Sequence, residues 1–131
     1  MSAAKLVVIY PVPTDLEKFE RLYLGQHVPR VVDKLIAKTK IVATKVWTSA
    51  RRVPAPFHRI AEIHFPSMAA LEACAALAKE TLSHAISIST GGRPIFVVAE
   101  EETFTFLVRA LRLSSRGFSW PTRPDGADEC R

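Results

Sequence analysis

The stretch Tyr23–Pro29, YLGQHVP, decides how the first third of this 131-residue chain is read. It follows a helical pattern in which Leu16, Phe19 and Tyr23 recur at i, i+3 and i+7, with Glu17, Lys18, Glu20 and Arg21 outward. Gly25 costs about 1 kcal/mol in a helix interior relative to alanine. Pro29 suits a first helical turn, and Val28, Val31, Val32, Leu35 and Ile36 renew the apolar stripe to about Ala37. The spacing therefore predicts one kinked or broken helix with His27 at the break. Thr14 and Glu17 supply the Thr-x-x-Glu spacing of a capping box at its start.

Outward from that helix the pattern changes to strands. Lys5 to Tyr10 is apolar and β-branched and stops at Pro11, which reads as a strand buried on both faces. Ile41 to Thr48 alternates as a second strand, Ser49 to Pro56 reads as a surface hairpin loop, and Phe57 to Phe65 is a third strand. In the third, alternation puts Arg59, Ala61 and Ile63 on one face and His58, Ile60, Glu62 and His64 on the other. Ser67 is the expected N-cap of a second helix whose stripe is Leu71, Cys74, Ala75 and Ala78. Thr81 to Ser89 is a second helical piece with Leu82, Ala85 and Ile86 inward. Thr90-Gly91-Gly92 is a turn, and Ile95 to Ala99 is a fourth strand.

The order β-α-β-β-α-β predicts an α+β, ferredoxin-like domain over residues 1–103: a four-stranded antiparallel sheet with two helices on one face. A bare apolar sheet face is costly in water, since each buried large aliphatic side chain contributes about 1.5–3 kcal/mol. A homodimer packing sheet against sheet is the expected remedy. Residues 104–131 form an extension, with Phe104, Leu107, Val108 and Leu111 spaced as a basic amphipathic helix before a turn-rich tail.

Composition narrows the partners. The net charge is +5 and 48% of residues are hydrophobic, a globular balance without the basic stripe interleaved with aromatics that nucleic acid requires. Two cysteines, Cys74 and Cys130, make neither a disulfide framework nor a metal knuckle. The apolar run near the N-terminus is too short for a membrane span or signal core. A cytoplasmic protein, with no nucleic-acid partner and no membrane span, is the expectation.

Four stretches in order, YPVP, LYLGQHVP, APFHRIAEIHFPS and STGG, resemble the EthD-like family of the dimeric α+β barrel superfamily. The resemblance covers about residues 5–102. It implies a ferredoxin-like protomer, a homodimer whose sheets form a barrel, and a small-molecule pocket between sheet and helices, with His27 as the functional residue. EthD-like proteins are linked to degradation of alkyl ethers beside a cytochrome P450 system, and others occur in polyketide and aromatic pathways.

From the residues themselves, His27 suits acid–base work at neutral pH, or else it caps the helix break. Tyr10 and Tyr23 are near candidates, and Trp47 is placed to stack an aromatic ligand or to fill core. His58, Glu62 and His64 cannot hold one metal ion, because i to i+6 along a strand spans about 20 Å. Glu62 and His64 are expected to pair with each other or with a ligand, and Arg59 to make an ion pair. The expected site is thus His27 as the catalytic group and Tyr10, Tyr23, Trp47, Glu62 and His64 as ligand contacts, with no metal and no cofactor. The reading is cofactor-independent proton transfer on a small hydrophobic carbonyl or aromatic compound. The alternatives are a non-catalytic accessory to an oxygenase and an interaction module working through the C-terminal helix.

Overall fold

The computed structural model describes residues 2–48 and 53–106. Strands β1 (Ala3–Pro11), β2 (Lys40–Lys45), β3 (Phe57–Phe65) and β4 (Ile95–Glu101) form one antiparallel sheet in the order β2-β3-β1-β4. Helices α1 (Leu16–Leu22) and α2 (Val28–Lys34) join β1 to β2, and α3 (Met68–Leu77) and α4 (Lys79–Ile88) join β3 to β4. The fold is therefore the α+β, ferredoxin-like arrangement expected from the sequence, with the helices on one face. Ala4, Val8 and Tyr10 of β1 and Ala61, Ile63 and Phe65 of β3 face them, and against these pack Phe19, Tyr23, Val31, Leu35, Leu71, Cys74, Ala85 and Ile88.

The helix is not broken between α1 and α2. Residues Tyr23–His27 form a π-helical turn, closed by the Val28 N–H donating to the Tyr23 carbonyl, so the backbone runs on helically from Leu16 to Lys34. The reason is visible in the spacing. Phe19, Tyr23, His27, Val31 and Leu35 recur every four residues and are all buried. At about 100° per residue an ordinary helix would drift by roughly 160° over those four steps. The wider π turn takes up one extra residue and returns most of that drift. His27 is thereby carried onto the core face instead of sitting at a helix end.

Other expectations shift for local reasons. Asp15, not Thr14, caps α1, its Oδ1 accepting from the Lys18 N–H at 3.1 Å. The Thr14 N–H instead donates to Thr90 Oγ1 at 3.1 Å. Ser67 caps α3 as expected, accepting from the Ala70 N–H. β2 ends at Lys45, and Trp47 lies beyond it, 79% exposed under the Lys45 ammonium. Residues 49–52 of the expected loop, the helix expected beyond Phe106 and the tail with Cys130 lie outside the described residues. Phe104 and Phe106 are described and are non-helical and exposed.

The turn expected at Thr90-Gly91-Gly92 is present, and its glycine meets the protein's own backbone. A Cβ on Gly91 would stand 1.8 Å from the Val12 carbonyl oxygen, a main-chain atom that cannot step aside. Gly91→Ala should therefore cost about 1–3 kcal/mol, as overpacking does. A thermal melt within a degree of the wild type would refute that reading.

Candidate functional site

A β-bulge sets up one side of the site. Tyr10 pairs with Arg59 and Pro11 with Phe57, so His58 is an extra residue on β3. A bulge re-aims a side chain, and here it turns His58 to the same side as Arg59, away from the face that strict alternation assigns it. Both then grip Glu20 of α1. Arg59 donates from Nε at 3.0 Å to Oε2 and from Nη2 at 2.6 Å to Oε1, and His58 Nε2 lies 2.8 Å from Oε2. His58 and Arg59 are buried. Glu20, expected outward, is therefore the inward anchor of α1. Its carboxyl is pulled down to about 2, first by the Arg59 hydrogen bonds and then by His58, against the opposing effect of burial. The expectation that Arg59 makes an ion pair is met. The Arg59 guanidinium also lies 5.1 Å from the Tyr23 ring centre, a cation–π contact.

Above this anchor is an aromatic cluster. Tyr10 meets Phe19 and Tyr23 edge-on, each at 5.4 Å between ring centres, and Phe19 stacks on Tyr23. Tyr23 continues to His27 at 6.0 Å. Between this cluster and the sheet lies an apolar cavity lined by Tyr10, Tyr23 and His27 together with aliphatic residues, among them Val28, Ile41 and Ile63. The cavity volume is about 20 Å³, room for about one water molecule, so a ligand enters only if the wall moves.

Two groups in its wall are chemically notable. The Tyr10 hydroxyl is buried and is the one buried side-chain polar atom without a hydrogen-bond partner among the described residues. Such a group costs about 1–3 kcal/mol when left unsatisfied. Burial, and then the neighbouring Tyr23, hold its pKa well above the usual tyrosine range. Tyr23 is also raised, chiefly by burial. The second group is His27, whose Nδ1 lies 3.0 Å from Nδ1 of His84 on α4. Burial, then His84, then Arg30 lower the His27 pKa to about 4, so its ring is neutral at pH 7.

The structure thus brings together Tyr10, Tyr23 and His27. It does not bring Trp47, Glu62 or His64 to them. Trp47 is on the surface beyond β2. Glu62 and His64 point to the opposite face of the sheet, where His64 Nε2 is 3.2 Å and Lys5 Nζ 3.1 Å from Glu62 Oε1, and His64 Nδ1 is 3.7 Å from Glu101. The expected pairing of Glu62 with His64 is therefore present, but the sheet separates it from the cavity. Sequence reasoning missed Glu20 as an inward group and missed His84 altogether. The signal for His84 was its place three residues after Thr81 and four before Ile88, at the edge of the buried stripe of α4. Among the described residues no group of three or more His, Cys, Asp or Glu is arranged to hold a metal ion, and no helix is long and apolar enough to cross a membrane.

The sequence matches no protein-family model and no curated protein. Solved structures do match. An ethyl tert-butyl ether D (EthD) family protein from Bacillus halodurans C-125 superposes with a TM-score of 0.69 at 20% identity, over 76% of this chain and 99% of that one. The chain has the EthD-like fold. An EthD-like protein from Ralstonia eutropha JMP134 gives a TM-score of 0.62 at 21% identity, over 76% of this chain and 92% of its own. A dimeric ferredoxin-like protein of unknown function from Jannaschia sp. CCS1 gives 0.56 at 13% identity, over 76% and 99%. In this fold the cavity lies between the sheet and the α1–α2 arm.

Proposed function

We propose that this protein binds a small hydrophobic carbonyl or aromatic compound in the cavity beside His27 and moves a proton on it without a cofactor. The observation that carries the reading is the unpaired Tyr10 hydroxyl in the same apolar wall as a neutral, buried imidazole. A bound carbonyl oxygen would supply the acceptor that Tyr10 lacks. His27 would take the adjacent C–H proton, the carbon's electron pair would flow to that oxygen, and Tyr10 would donate to the oxyanion as its charge develops. The high tyrosine pKa keeps Tyr10 a donor. Val28 and Ile41, the half-buried members of the wall, are the side chains that a bicyclic ligand would displace on entry.

The same reading includes a homodimer. Val7 and Ile9 of β1, Val42 of β2, Ile60 of β3, and Ile95 and Val97 of β4 share the sheet face opposite the helices, by the register of the ladders. Ile95 is 46% and Val97 39% exposed in the single chain, and the Jannaschia protein of the same fold is described as dimeric. A sheet-to-sheet pair would cover these side chains.

The test uses 2-tetralone, an aromatic enolisable ketone. Native mass spectrometry of the protein titrated with it should show a dimer with one ligand per protomer, and proton NMR in D2O should show exchange at its C1 position faster than in buffer. In Tyr10→Phe the two readouts should separate. Removing an unsatisfied buried hydroxyl should leave stability unchanged or raise it by up to about 1 kcal/mol, while exchange falls at least tenfold. Equal exchange in both proteins, or none above buffer in the wild type, would overturn the acid–base reading.

A further inference from the structure

We propose that His84 is the positioning residue for His27: it holds the His27 ring with its proton on Nδ1, so that the bare Nε2 faces the cavity. The inference rests on the acid–base reading above and adds to it a residue on a different helical arm. The two rings are 21° from coplanar, with centres 5.2 Å apart and their Nδ1 atoms 3.0 Å apart. The centre separation exceeds the nitrogen separation by about two ring radii. The rings therefore meet edge to edge, the geometry of an N–H···N bond. Such a bond needs one ring protonated at Nδ1 and the other bare there, so the two tautomers are locked to each other.

Which ring donates follows from the surroundings. If His84 donated, His27 would carry its own proton on Nε2, on the ring that is only 5% exposed. A ring N–H left without a protein acceptor is better hydrated on the more exposed of the two rings. If His27 donates, the Nε2–H belongs to His84, which is half-exposed and meets water. The charged and titratable groups near the pair agree. Arg30 of α2 opposes protonation of both rings, so His84 keeps the lone pair that accepts. Tyr10 of β1 and Tyr23 of the π turn, at 6.4 and 6.0 Å from the His27 ring, stay neutral. When His27 takes a substrate proton on Nε2 the ring becomes an imidazolium, and its Nδ1–H bond to His84 strengthens. The electron pair of the broken C–H bond stays with the substrate, and the same proton or a solvent proton later restores the carbon. His84 does here, as a neutral acceptor, what a carboxylate does behind the histidine of a hydrolase triad.

The test begins with long-range proton–nitrogen NMR of the ¹⁵N-labelled wild type at neutral pH. His27 should show a protonated Nδ1 and a bare Nε2, and His84 the reverse. His27 found as the Nε2–H tautomer overturns the proposal, with no variant needed. His84→Ala should release the lock, leaving His27 a mixture of the two neutral tautomers, and slow 2-tetralone exchange while its dissociation constant stays within twofold. His84→Gln, whose amide oxygen can still accept from Nδ1–H, should recover most of the loss. An unchanged His27 tautomer or exchange rate in His84→Ala overturns the role. A wild type that does not exchange 2-tetralone sinks the acid–base reading instead, and the ring nitrogens still decide whether His84 orders His27.

Discussion

Glu20→Ala should remove about 3–5 kcal/mol of stability, the usual cost of deleting one partner of a buried charge pair. That is a large share of the roughly 5–15 kcal/mol by which a domain is held folded. The substitution strips Arg59 of two hydrogen bonds and His58 of one, and both side chains lie too deep for water to replace the carboxylate. The outer contact from Lys45, at 3.9 Å and 41% exposed, contributes little. The urea midpoint should fall by a molar or more at an m-value of about 1–3 kcal/mol/M. A pH signature accompanies it. The Glu20 pKa drops on folding from its ordinary 4.5 to about 2, so the folded state binds fewer protons between those values. Its contribution is full above the unfolded pKa and is lost as pH falls through 4.5 towards 2. Glu20→Ala should flatten that segment of the acid-denaturation curve. A midpoint equal to the wild type would mean that the bulge and its ion pair do not anchor α1.

His27→Gln should have the largest effect on function, and a second effect on stability that separates it from a simple packing change. General-base catalysis contributes typically 10²–10⁴-fold, so 2-tetralone exchange should fall by about that factor while ligand affinity stays within a few fold. The stability effect depends on pH. Burial first, then His84 and Arg30, lower the His27 pKa from 6.5 to about 4. A depressed histidine leaves the unfolded chain binding more protons between those values, so stability is full above 6.5 and declines as pH falls towards 4. That span corresponds to about 3 kcal/mol at 1.36 kcal/mol per pH unit. His27→Gln should therefore be relatively more stable than the wild type at pH 4 than at pH 7, measured by urea titration at both. A wild type equally stable at pH 4 and 7 would show that His27 is not buried neutral in solution.

Much of this architecture was legible in the residues. β3 was read to its bounds because Phe57–Phe65 alternates and is fenced by Pro56 and Pro66. Ser67 as a cap and the β-α-β-β-α-β order followed from local chemistry that tertiary contacts did not override. The expected neighbours Tyr10, Tyr23 and His27 do meet. Trp47 is misplaced because alternation gives its face but not its depth: the β2 ladder ends at Lys45 and Trp47 lies beyond it, exposed. Glu62 and His64 lie away from the cavity, and the sequence cannot show it, because a strand's period of two gives their shared face but not which face the helices take.

What the sequence determined alone is the set of elements and the period on which each buries its side chains, since those depend on steps of two to four residues along one chain. The four-residue beat of Phe19, Tyr23, His27, Val31 and Leu35 was already written there, although its meaning as a π turn was not. The tertiary structure decided what depends on residues distant in the chain. It set Glu20 between His58 and Arg59 through a one-residue slip in the β1–β3 register, and His84 against His27 across 57 positions. Hydrogen bonds of 3 Å are fixed only when two elements pack, and no pattern along a single strand or helix carries that distance.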